Sequence, residues 1–227
     1  MLQRGQNPDV VTFNSLIHDL CNSGQSEEAT ELLNKRLELG VSPDVVTFNS
    51  LIHGLCNSGQ SEEATELRNK MLELGVSPDV VTFNILIDDL CKGRRTAEAH
   101  KLLELMLQRG QKPNVVTFSS LIHGQCNSKQ WKEATGLLKK MLELGVSPDV
   151  VTFNILIDGG LCKDGRTAEA HKLFELMLER GQKPNVVTFN SLIHGLCNSS
   201  QSEEAIGLLN KMLELGVSPN IVLISTF

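Results

Sequence analysis

A chain of 227 residues with 41% hydrophobic residues and a formal net charge of −6 is long enough to bury a sizeable core. Its acidic balance excludes a general, non-specific nucleic-acid binder, which needs a basic footprint, but leaves room for a localised site. No apolar run is long enough to cross a membrane and the N-terminus carries no signal or transit pattern, so no membrane partner is expected.

The opening MLQRGQNPD matches Met106–Asn114, and residues 1–9 therefore read as the end of a truncated repeat. Aligning Pro8, Pro43, Pro78, Pro113, Pro148, Pro184 and Pro219 gives a period of 35 residues with one step of 36. Such a period means a stacked array in which each repeat buries its apolar face against its neighbours. Six whole repeats follow: Val10–Asp44, Val45–Asp79, Val80–Asn114, Val115–Asp149, Val150–Asn185 and Val186–Asn220, and residues 221–227 begin another. The first two differ only at Asp19/Gly54, Leu33/Arg68 and Arg36/Met71. The chain is expected to be a segment of a longer array without polar end caps, and so to self-associate head-to-tail at high concentration.

Within the first repeat, the spacing predicts a helix from about Val11 to Asn22, with Gly24 as its stop. A second helix follows, with Ser26 as N-cap, Glu27 and Glu28 at the positive end of its dipole, and Ala29, Leu32, Leu33 and Leu37 at helical spacing. Gly40 ends it, just before Pro43. Each repeat is thus a helical hairpin. The fifth carries an extra glycine at Gly159–Gly160 inside its first helix, which requires a bulge or break after Asn154.

On a helical wheel, Phe13, Leu16, Ile17, Leu20 and Cys21 share the packing face of the first helix. Val11, Asn14 and His18 form a second stripe at or beyond its edge. The valine recurs at Val46, Val81, Val116, Val151 and Val187, with Val222 opening the next repeat; the polar residue recurs at Asn49, Asn84, Ser119, Asn154 and Asn190. Asparagine inside a helix costs roughly half a kcal/mol relative to alanine, so its recurrence needs a reason. An apolar wedge beside a group that can donate and accept suits an unpaired base.

The cysteines Cys21, Cys56, Cys91, Cys126, Cys162 and Cys197 fall once per repeat at one equivalent place. They are not a disulfide framework, and they suit a reducing compartment. His18-x-x-Cys21, repeated at His53/Cys56, His123/Cys126 and His194/Cys197, offers only two metal ligands per repeat, with the cysteine on the packing face; a buried thiol is expected there rather than zinc. Catalytic signatures are absent, neither a phosphate-cradling glycine loop nor a nucleophile elbow being present, so no enzyme activity and no cofactor are expected.

At VVTFNSLIHGLC and LGVSPD the chain resembles the pentatricopeptide repeat family, in its P-type arrays of uniform 35-residue repeats, and the resemblance covers essentially the whole sequence. The near-identity of adjacent repeats is similar to the plant restorer-of-fertility group. The resemblance implies an all-α, right-handed α-solenoid superhelix of helix-turn-helix repeats that binds single-stranded RNA in a mitochondrion or, alternatively, a chloroplast. It also implies that each repeat reads one base through its fifth and last residues. The pairs are Asn14/Asp44, Asn49/Asp79, Asn84/Asn114, Ser119/Asp149, Asn154/Asn185 and Asn190/Asn220, with the valines sandwiching the bases.

Ionised aspartate only accepts hydrogen bonds and so favours bases presenting an imino N–H, whereas asparagine also donates and tolerates cytosine. Serine leaves room for a purine. The reading is 5′-UUCGCC-3′, with the cytosine positions tolerant of uracil. Aspartate and asparagine are also good N-caps, which gives the last residues a second role. The lysine that follows the cysteine in the family and meets phosphate is present as Lys92 and Lys163, whereas Asn22, Asn57, Asn127 and Asn198 depart from it. The competing expectation, a protein-binding scaffold like the tetratricopeptide repeat, fits less well, because that repeat has 34 residues and a Trp/Tyr pattern while this chain has no tyrosine.

Overall fold

The computed structural model describes residues 9–162 and 165–220. Lys163, Val222 and the terminal segments 1–8 and 221–227, for which the sequence raises expectations, lie outside them. Among the described residues the fold is all-α, in two compact bodies divided after Pro113.

The first body holds three hairpins: α1 (Val10–Asn22) with α2 (Ser26–Glu38), α3 (Val45–Asn57) with α4 (Ser61–Glu73), and α5 (Val80–Lys92) with α6 (Thr96–Gln108). The first helices stack in order, α1 on α3 and α3 on α5. The second body repeats the plan with α7 (Val115–Asn127), α8 (Trp131–Glu143), α9 (Val150–Leu156), α10 (Thr167–Glu179), α11 (Val186–Asn198) and α12 (Ser202–Glu214). There α7 stacks on α9, and α11 packs on the π-helical segment Ile157–Cys162 that continues α9. This π segment is where the extra glycine is absorbed: an i→i+5 turn takes in one residue without ending the helix.

Each hairpin turn is built by a left-handed residue. Gly24 adopts φ +77°, and the Gln25 N–H closes back on the Leu20 carbonyl at 2.9 Å, which satisfies an orphan carbonyl at the end of α1. Arg94, Lys129 and Ser200 hold the equivalent turn at φ 58°, 57° and 59°, a conformation unfavourable to a side chain.

The core of each body is the row of first-helix residues typified by Phe48, Leu51 and Ile52, closed by Ala64 and Met71 from the second helix. Leu16, assigned to the packing face from its spacing, is 46% exposed, whereas its counterpart Leu51 is 1% exposed. The reason is that α3 stacks on α1, while no described helix precedes α1. Ser26 is likewise not the N-cap of α2: Gln25 occupies that place and makes no side-chain cap bond. Ser26 is buried, with its Oγ 2.9 Å from Ser58 Oγ of the next repeat.

Stacking is closest where Gly54 meets Cys21. A Cβ on Gly54 would lie 2.7 Å from Cys21 Cβ, and one on Gly195 would lie 2.8 Å from Cys162 Cβ. Burial pushes the Cys21 thiol up to about 11 and the Cys126 thiol up to about 12. The histidines three residues earlier turn away: His18 is exposed, with Nε2 2.9 Å from Asn22 Nδ2.

Candidate nucleic-acid interface

The last residue of each of the first five repeats is the N-cap of the next first helix. Asp44 accepts from the Thr47 backbone N–H at 2.9 Å and Asp79 from that of Thr82 at 2.9 Å. Asn114, Asp149 and Asn185 cap α7, α9 and α11 in the same way. Capping fixes the side chain at the start of the helix.

The fifth residue reaches across to that cap. Asn14 Nδ2 donates to Asp44 Oδ1 and Oδ2 at 3.3 and 3.2 Å, and Asn49 Nδ2 donates to Asp79 Oδ1 at 3.1 Å. In the second body Asn154 Nδ2 donates to Asn185 Oδ1 at 3.3 Å and Asn190 Nδ2 to Asn220 Oδ1 at 3.2 Å. These four sequence-derived pairs are therefore joined directly. Asn154 keeps this geometry although the π segment begins three residues later. Ser119 is too short to do the same; its Oγ lies 2.9 Å from Thr152 Oγ1, beside the Asp149 cap. Asn84 is half-buried on α5.

In three of these asparagines the carbonyl side has a partner that spacing did not identify. Thr47 Oγ1 donates to Asn14 Oδ1 at 2.7 Å, Thr82 to Asn49 at 2.6 Å and Thr188 to Asn154 at 2.7 Å. All three threonines are fully buried. The asparagine is thus also a tie between neighbouring repeats, which offsets its poor helix propensity. The signal was a threonine at the third place of all six repeats, Thr12 through Thr188. In the segment after Asn220 that place is Leu223, and Asn190 Oδ1 is buried with no partner among the described residues.

Two of these carboxylates have shifted acidity. Burial acts to raise the Asp79 carboxyl, but the Thr82 N–H, the Asn49 amide, the Thr82 hydroxyl and the Val81 N–H outweigh it and hold the group below the usual aspartate value. Asp44 is held low against the same burial effect by the Thr47 N–H and hydroxyl, the Asn14 amide and the Arg36 guanidinium. Both remain pure acceptors at neutral pH.

Beside each polar rung stands an exposed valine: Val11, Val46, Val81, Val116, Val151 and Val187 are all between 48% and 69% exposed. Valine and asparagine lie three residues apart on one helix and are surface neighbours. Lys92 is exposed at the end of α5, but its Nζ is 2.7 Å from Asp88 Oδ2, so part of its charge is already compensated.

The helical hairpins thus present an exposed valine beside a polar residue, repeat after repeat. The PPR repeat family matches residues 8–57, 43–92, 89–127, 115–159, 159–198 and 184–222, and the chain belongs to that family. Its fold is similar to the crystal structure of PPR10 from maize, with 29% identity and a TM-score of 0.75 over 99% of this chain and 32% of that one. It is also similar to PPR10 in complex with an 18-nt psaJ RNA element, with 27% identity and a TM-score of 0.66 over 98% of this chain and 36% of that one. The PPR domain of Arabidopsis thaliana protein-only RNase P 1, in complex with tRNA, shares the fold at 15% identity and a TM-score of 0.68, over 82% of this chain and 97% of that one. The chain spans about a third of PPR10. No curated protein matches it.

Proposed function

We propose that the chain binds single-stranded RNA sequence-specifically, one base per repeat, and performs no chemistry on it. The observation that carries the reading is the repetition of one unit of geometry: an exposed valine beside an amide fastened to the capping residue of the next helix. A base held between successive valines would meet that pair at its hydrogen-bonding edge. Three solved structures at 27–29% identity are of PPR10, two of them in complex with an 18-nt psaJ RNA element.

The pairs give the preferred order 5′-UUCGCC-3′. Asp44 and Asp79 accept from the imino N–H of uracil, and Asp149 beside the short Ser119 accepts from guanine. Asn114, Asn185 and Asn220 serve cytosine and tolerate uracil. Lys92 and Lys163 would supply phosphate contacts. The place of action is a plant mitochondrion or chloroplast, in RNA processing of the restorer-of-fertility kind; localisation of the full-length gene product tests this part.

Selection from a randomised RNA pool tests the binding itself. Enrichment of the six-base motif is expected. Failure to enrich any RNA motif, with a peptide ligand captured instead, would replace this reading with the scaffold one.

A further inference from the structure

The first two repeats carry the same Asn/Asp pair, yet the surroundings differ at one buried residue. Arg36 of α2 is fully buried, where the other repeats bury Met71, Met106, Met141, Met177 or Met212. A buried guanidinium is costly unless its N–H groups find acceptors. Arg36 finds four: Nε donates to the Val41 carbonyl at 3.3 Å, Nη2 to the Ser42 carbonyl at 2.7 Å, and Nη1 to Asn14 Oδ1 and Thr47 Oγ1, both at 2.7 Å. Its tip therefore sits directly behind the pair of the first repeat.

This changes what Asn14 can do. In the second repeat Asn49 Oδ1 is held by the Thr82 hydroxyl, which can donate or accept. Reversal of the Asn49 amide is then opposed on one side only, where its Oδ1 would face the Asp79 carboxylate, while the Thr82 hydroxyl could turn to accept. In the first repeat a reversed Asn14 would turn its NH2 group onto a guanidinium, which has donors and no acceptor. The reversal is blocked. A charge-assisted bond is roughly twice as strong as the neutral one. The Asn14 amide faces both oxygens of Asp44, at 3.3 and 3.2 Å, whereas Asn49 donates to one oxygen of Asp79 at 3.1 Å.

We propose that Arg36 is a positioning residue that locks Asn14 and Asp44 in one donor/acceptor pattern, so that the first repeat discriminates uracil from cytosine more sharply than the second. The proposal rests on the RNA-binding reading above. Arg36 acts through the pair and touches no base itself.

The test uses an RNA containing 5′-UUCGCC-3′ and its two variants with cytosine at the first or the second base, bound to the unaltered chain and to Arg36→Met. Methionine is the residue the other repeats place there, so the variant is expected to fold, with circular dichroism as the check. The unaltered chain should lose about three- to tenfold more affinity for cytosine at base one than at base two, the worth of one strengthened hydrogen bond. Arg36→Met should bring the base-one penalty down to the base-two penalty and leave the latter unchanged. A merely structural role would weaken all three RNAs alike. Equal penalties in the unaltered chain, or a base-one penalty untouched by Arg36→Met, would overturn the proposal and leave RNA binding standing. Absence of RNA binding by the unaltered chain would overturn both.

Discussion

Gly54→Ala should loosen the junction between the first two repeats. The added Cβ would sit 2.7 Å from both Cys21 Cβ and Cys21 Sγ, and 3.3 Å from Cys21 Cα. Carbon atoms in good contact are about 3.5–4.0 Å apart, so the overlap is roughly 1 Å. A rotamer change of Cys21 moves Sγ but leaves Cβ and Cα where they are, so α1 and α3 must separate. Overpacking of this kind costs about 1–3 kcal/mol, against a helix-propensity gain from glycine to alanine of about 1 kcal/mol. A net loss of about 0–2 kcal/mol is expected from these two opposing terms. Gly136 supplies the control, because nothing lies within 4 Å of its added Cβ; Gly136→Ala should stabilise by about 0.5–1 kcal/mol. Urea unfolding followed at 222 nm reads both midpoints, and amide exchange of α1 and α3 reads the local opening. Separation of the helices would also stretch the 2.7 Å bond from Thr47 to Asn14 and weaken RNA binding at this junction. If Gly54→Ala raised the midpoint as much as Gly136→Ala does, the stacking contact would not set the repeat spacing.

Arg94→Gly and Ser200→Gly relieve side chains held at φ 58° and 59° and should each stabilise by about 1 kcal/mol, read as a shift in melting temperature. Asp79→Asn keeps a good cap, as Asn185 demonstrates on α11, and should change stability little at neutral pH. It should, however, change the acid limb. A carboxyl depressed in the folded state contributes stability that is fully present above its unfolded value of about 3.9 and is lost as pH falls through the lower folded value. The stability of the unaltered chain relative to Asp79→Asn should therefore hold constant from neutral pH to about pH 5 and fall below about pH 4, leaving the variant the more stable in acid. Urea midpoints at stepped pH check this, and a gain of the unaltered chain over the variant on acidification would contradict the depressed carboxyl.

Much of the fold was legible because the repeats restate it. The αL stop at Gly24, the caps at Asp44 and Asn185 and the apolar row through Phe48 and Ile52 rest on local spacing, which a single chain displays. What was not legible joins residues about one repeat apart. Nothing near Asn14 indicates that its carbonyl meets Thr47, or that Ser26 turns inward to Ser58 instead of capping its own helix. Arg36 read as one difference among three between near-identical repeats until burial placed its guanidinium behind Asn14. The extra glycine could be located but not resolved between a bulge and a break, because an i→i+5 turn depends on what α9 stacks against.

The central claim, one base per repeat read by the fifth and last residues, is tested most directly by Ser119→Asn. The new amide would reach Asp149 as Asn49 reaches Asp79 at 3.1 Å and close the space left for a purine. In parallel selections from a randomised RNA pool, the account predicts that the fourth base alone moves from guanine to uracil while the other five stay as they were. An unchanged fourth base, or a change spread over several positions, would contradict it.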